Sequence, residues 1–143
     1  MTYHYAVPGD DFTRAGNVSA EMKKILQRLG LPPSIIKRTS VAMYESEINM
    51  VVHAGGGDAT IDIFDSEIII VMEDHGPGIA DVDLAMKEGY STASEKVREL
   101  GFGAGMGLSN MKRNSDDMTI ETAAGKGTKV TMRIKITDSP QLR

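Results

Sequence analysis

Glu67-Ile68-Ile69-Ile70-Val71-Met72-Glu73 runs directly into Asp74-His75-Gly76-Pro77-Gly78-Ile79. The unbroken apolar run in the first half predicts a strand buried on both faces, although so short a run also fits a buried helix. The second half places an acid at the strand end and then a tight turn that needs two glycines. A carboxylate only accepts hydrogen bonds, so Asp74 suits an exocyclic amine such as that of adenine. Gly76 and Gly78 let a flat base come close to the backbone. Asp before Gly is also a common turn former, which is the plainer alternative.

Upstream, residues 60–65 alternate, with Ile61 and Ile63 pointing one way, and Asp65-Ser66-Glu67 closes a hairpin. Before them, residues 36–53 hold no Gly or Pro, and Gly55-Gly56-Gly57 ends the helix they predict. Glu45, Asn49 and His53 recur at i, i+4 and i+8, so they stack on one face. The Asn49 amide oxygen is a hard ligand of the kind Mg²⁺ takes. A carboxylate one turn away, Glu45, can accept a proton from an attacking hydroxyl or water. The alternative places both on the solvent face together with Glu47. His53 reads as a cap on the last turn more readily than as a phosphate contact. Nearer the start, Asp10 or Asp11 can cap a helix running to Leu29, although Gly16 moves its expected start toward Asn17. Thr2–Pro8 reads as an edge strand.

Downstream, residues 81–88 predict a short helix and 89–100 a polar, irregular segment suited to a lid, with Lys96 and Arg98 as its cations. Gly101-Phe102-Gly103-Ala104-Gly105-Met106-Gly107-Leu108 follows, with glycine at four alternate positions. Feeding a helix at 108–114, such a run offers unpaired N–H groups to phosphate; it is also what a plain linker looks like. Two strands close the pattern, at 118–122 and 130–136. In the second, Val130, Met132, Ile134 and Ile136 face inward and Thr131, Arg133 and Lys135 outward.

The 143 residues suit one domain over 1–136 with a frayed tail at 137–143. A hydrophobic content of 41% is enough to fold without disulfides or a structural metal, and there is no Cys to supply either. The net charge of −4, with both signs interspersed, argues against direct nucleic-acid binding. No apolar run is long enough to span a membrane, and a cytoplasmic protein is expected. The ten methionines read as pliable core filler. Hairpins dominate the element order. This predicts an α+β fold, a two-layer sandwich with helices on one face of a mixed, mostly antiparallel sheet. The pattern argues against a doubly wound dinucleotide fold and against a P-loop, because neither glycine fingerprint is present.

Taken together, the clusters resemble the superfamily of ATPases and kinases that includes gyrase, sensor histidine kinases and MutL-type proteins, the Bergerat-fold or GHKL group. Glu45-x-x-x-Asn49 resembles its N box, and Asp74-His75-Gly76-Pro77-Gly78 its first glycine box. Gly103-Ala104-Gly105-Met106-Gly107-Leu108 resembles the second box, and Lys126-Gly127-Thr128 the Gly-Thr after the last turn. Because the likeness fills nearly the whole chain, and Glu88-Gly89-Tyr90-Ser91-Thr92 precedes the lid, the chain looks like the stand-alone anti-sigma factor serine kinases and their switch-protein relatives. The resemblance implies ATP or ADP with Mg²⁺ as cofactors. It implies Glu45 as catalytic base, Asn49 as Mg²⁺ ligand and Asp74 as the adenine-binding acid. Gly76, Gly78, Ile79, Gly103, Gly105, Met106, Gly107 and Leu108 would shape the pocket, and Thr128 would support the adenine through a water shared with Asp74. A STAS-domain anti-sigma antagonist is the implied substrate, with a sigma factor as second partner and a homodimer as the assembly. Two departures stand out: His75 replaces a more usual acidic or small polar residue, and Arg98 lies seven residues before Gly105. The alternative is a non-catalytic ATP/ADP-dependent switch acting on a phosphatase or signalling complex; a third reading is a small ATPase or a degenerate fold that binds no nucleotide.

Overall fold

Alternation along the strands decides which face of the sheet is covered. Ala59 and Ile61, then Ile68, Ile70 and Met72, then Val130, Met132 and Ile134 are buried on one side. They belong to β2 (Gly56–Ile63), β3 (Glu67–Glu73) and β5 (Gly127–Lys135), joined in the sheet by β1 (Thr2–Pro8) and β4 (Asp117–Ala123). The computed structural model describes residues 1–9, 11–79, 81–87 and 107–136. The sheet order is β1-β2-β3-β5-β4, and every pairing is antiparallel. This is the expected two-layer α+β class, with a wholly antiparallel sheet among the described residues instead of a mixed one. The reason is positional: β4 runs in the direction of β3, but β5 lies between them, so the two never pair.

Among the described residues the helices are α1 (Asn17–Arg28), α2 (Pro33–His53), α3 (Val82–Ala85) and α4 (Gly107–Arg113). α2 packs against α1, α4 and the sheet, which is why it carries apolar residues around much of its circumference. Ala42, Met43, Met50 and Val51 are all buried there. Because the described helices cover one face only, β3 is not buried on both sides as its run of isoleucines suggests. Ile69 and Val71 are half-buried on the open face. Ile69 stands between Asp62 and Arg133, and Val71 between Thr60 and Thr131.

α1 begins at Asn17, the later of the two expected starts, and its cap comes from elsewhere. Asp11 accepts from the Thr13 hydroxyl at 2.6 Å and does not cap the helix. The Glu47 carboxylate of α2 does so instead: Oε2 accepts from Gly16 N–H at 3.0 Å and Val18 N–H at 3.1 Å, and Oε1 from Ser19 N–H at 3.0 Å. Glu47 is therefore not a solvent-face residue; it is 1% exposed. The lid at 89–100, Gly103, Gly105, Met106 and the tail at 137–143 lie outside the described residues.

Candidate functional site

β3 ends at Glu73, and the chain is clasped at once by the start of β5. Asp74 N–H donates to Thr128 O at 2.9 Å. In return, Asp74 Oδ1 accepts from Thr128 N–H at 3.2 Å and from Gly76 N–H at 3.0 Å. This clasp needs glycine at 127: φ is +94°, and a Cβ there would sit 2.1 Å from the Asp74 carbonyl oxygen. Gly76 is pressed against the end of α2, where a Cβ would fall 2.6 Å from the Ala54 Cβ. The turn is tied to the β4–β5 hairpin by Gly125 N–H to Pro77 O at 2.8 Å and by Ile79 N–H to Thr122 Oγ1 at 2.9 Å. The acid and its glycines are thus held by two neighbours, the C-terminal end of α2 and the hairpin.

α2 supplies the other wall. Asn49 lies against the first residue of α4; a Cβ on Gly107 would be 3.1 Å from its amide nitrogen and 3.2 Å from its amide oxygen. Its Nδ2 also lies 3.9 Å from Met111 Sδ. One turn earlier, Glu45 Oε2 accepts from Asn110 Nδ2 at 3.0 Å, while Asn110 Oδ1 accepts from Arg113 Nη2 at 2.6 Å. Glu45 and Asn49 therefore share the α4-facing side of α2, as their spacing predicts.

Between these walls lies a cleft of about 60 Å³. Of the expected residues, it gathers Asn49, Asp74, Gly78, Ile79, Leu108 and Thr128. Glu45, Gly76 and Gly107 do not line it; they hold Asn110, Ala54 and Asn49 respectively. The sequence reading missed Pro77, Met111 and Val130 as lining residues, and with them the role of Thr122. Thr122 stands opposite Thr128 in the β4–β5 register, so counting back across the turn would have found it. His53 also lines the cleft, at the end of α2. Burial pushes its imidazole pKa below the ordinary 6.5. No group of three or more His, Cys, Asp or Glu able to hold a metal occurs among the described residues.

Residues 36–138 match the family model described as histidine kinase-, DNA gyrase B-, and HSP90-like ATPase, which covers most of the chain and takes in both walls. The chain belongs to this ATPase family. The serine/threonine-protein kinase RsbT of Bacillus subtilis (strain 168) is a similar member, 30% identical over 76% of this chain and 78% of that one. An anti-sigma F factor of Caldanaerobacter subterraneus subsp. tengcongensis is 37% identical over 71% of this chain and 73% of its own. In fold, this ATPase domain is like the crystal structure of the RsbU and RsbW domains of a Mycobacterium tuberculosis protein. The TM-score is 0.64 at 17% identity, covering 95% of this chain and 32% of that one. Family membership implies nucleotide binding. Among the described residues, no helix is long and apolar enough to cross a membrane.

Proposed function

We propose that this chain is an ATP-binding anti-sigma regulatory factor and a protein serine kinase that phosphorylates a STAS-domain antagonist. The observation that carries the reading is the cleft itself: Asp74, clasped by Thr128, and Asn49 line one cavity from opposite walls. Asp74 is the acceptor for the adenine amine, and Gly76 and Gly78 keep the backbone beside it free of side chains. Gly103, Gly105, Met106, Gly107 and Leu108 would enclose the phosphates. Asn49 fits Mg²⁺ as one hard oxygen donor, because that ion is usually held by few protein oxygens and completed by substrate phosphates and water. Bound there, the ion would neutralise phosphate charge. Glu45 accepts the proton of the attacking serine, and the Asn110 amide holds that carboxylate in place beforehand. A sigma factor as second partner, a homodimer and a cytoplasmic setting complete the proposal; the anti-sigma F relatives support the sigma-factor partner by name.

One experiment addresses both halves. Wild type, Asp74→Asn and Glu45→Gln are titrated with ATP by calorimetry and then incubated with γ-labelled ATP and a STAS-domain partner. Asp74→Asn is expected to lose ATP binding. Glu45→Gln should bind ATP as wild type does and transfer nothing. Normal ATP binding by Asp74→Asn would remove the adenine assignment, and wild-type transfer by Glu45→Gln would remove the base. Nucleotide-dependent partner binding without transfer by the wild type would favour the switch reading. The engagement of Glu45 by Asn110 is compatible with that reading.

A further inference from the structure

Three polar groups surround one hydroxyl behind the cleft. Thr122 Oγ1 accepts from Ile79 N–H at 2.9 Å, lies 3.0 Å from Thr128 Oγ1, and lies 3.2 Å from the Gly127 carbonyl oxygen. Thr122 is absent from the cleft lining, whereas Ile79 and Thr128 both line it. Thr128 is in turn the residue whose backbone clasps Asp74 on both sides of its peptide unit. We propose that Thr122 is a positioning residue for the purine base: it fixes the direction of the Thr128 hydroxyl and so sets the preference for a 6-amino over a 6-oxo purine. This rests on the nucleotide-binding reading above and deepens it.

The argument is one of proton counting. A hydroxyl has a single proton and two acceptor positions. The Ile79 N–H fills one acceptor position of Thr122. The Gly127 carbonyl can only accept, and it takes the Thr122 proton. Thr128 then donates to Thr122 and turns a bare oxygen to the cleft. Held that way, the Thr128 hydroxyl is no free rotor. A 6-amino purine meets the Asp74 acceptor and a Thr128 hydroxyl of set direction. A 6-oxo purine needs a donor where Asp74 offers an acceptor, and only a freely rotating Thr128 could turn its proton round to supply one. Removing the Thr122 hydroxyl releases that rotor and leaves the Ile79 N–H without its acceptor, at the turn that carries Gly78.

The test uses the full chain with Thr122→Val, which keeps the branched shape and deletes the hydroxyl, and Thr122→Ser, which keeps the hydroxyl. Affinities for ATP and ITP are measured by calorimetry on each, alongside Asp74→Asn. Thr122→Val should bind ATP about ten-fold more weakly, the loss of one part-buried hydrogen bond. Its preference for ATP over ITP should narrow, and Thr122→Ser should keep both within about two-fold of wild type. ATP binding at wild-type strength by Thr122→Val overturns the proposal. So does an equal loss for ATP and ITP, which would make Thr122 a structural clamp and nothing more. Should Thr122→Val not fold, Thr122→Ala takes its place under the same criteria. If the wild type binds no ATP, the nucleotide reading itself has failed. If Asp74→Asn loses ATP and the hydroxyl-deleted variant does not, only the Thr122 assignment falls.

Discussion

Glu45 and Glu47 stand two residues apart on α2, and their carboxylates meet opposite surroundings. That separation is about 200° of helix turn. Glu45 therefore reaches Asn110 of α4, while Glu47 is buried against the first N–H groups of α1. Spacing made Glu45 legible, because Asn49 repeats it one turn later. Nothing local marks Glu47, since the groups it satisfies lie about thirty residues upstream and the sequence carries no trace of that distance. Glu47→Ala would leave three N–H donors without their acceptor, two of them buried, so a loss of roughly 3 kcal/mol is expected in urea unfolding, with an unchanged slope against denaturant. His53 gives a pH signature at the same scale. Its pKa is depressed in the folded chain, so the unfolded chain takes up a proton first as the pH falls. The His53 contribution is therefore flat above its ordinary value of 6.5 and destabilising below it. Melting His53→Gln and wild type at pH 7.5 and 5.5 checks this: the wild type should lose more Tm than the variant on acidification.

At the scale of elements, one glycine run has two structural roles. Gly55-Gly56-Gly57 follows the end of α2 at His53, as the sequence predicts, and Gly56 and Gly57 also open β2 and pair with Pro8 and Val7 of β1. Glycine is disfavoured in strands, so local propensity points away from a strand start at Gly56. The structural cause is a close approach of backbones: a Cβ on Gly56 would lie 2.3 Å from the Val7 carbonyl oxygen. Two other glycines separate strain from contact. Gly30 and Gly127 both have positive φ, but a Cβ at Gly30 meets nothing within 4 Å, whereas one at Gly127 strikes Asp74. Gly30→Ala should cost about 1–2 kcal/mol and leave nucleotide affinity alone. Gly127→Ala should push β5 off the end of β3 and abolish ATP binding. Urea melts and calorimetry on the pair distinguish the two effects. The strand–turn–helix order around Asp74 was legible from the apolar run of β3 and the two glycines that follow it. The tie between its turn and the hairpin was not, because it runs through Thr122, which local patterning treats as one more strand threonine.

For the whole molecule, hairpin signals were enough to give the α+β class. Strand order was another matter. β3 and β4 are separated in space by β5, and no pattern within a single strand announces a neighbour that arrives after residues 74–126. The long separation makes this the slowest kind of pairing to form. A chain cut after residue 123 should accordingly bind no ATP, since Thr128 and the Asp74 clasp are gone. It should also aggregate more readily than the full chain, read as light scattering at equal concentration. Retained ATP binding by the shortened chain would show that β5 is not what completes the pocket.

The placement of β5 between β3 and β4 also orders events during translation. A nascent chain that has released β3 from the ribosome, but not yet β5, carries Glu67–Glu73 with one edge unpaired. Only when the later strand emerges and slides in does that exposed template close, and the same motion joins Asp74 to Thr128. The Asp74–Thr128 clasp thus forms at the moment the vulnerable edge disappears, so one strand insertion both protects β3 and finishes that wall of the cleft.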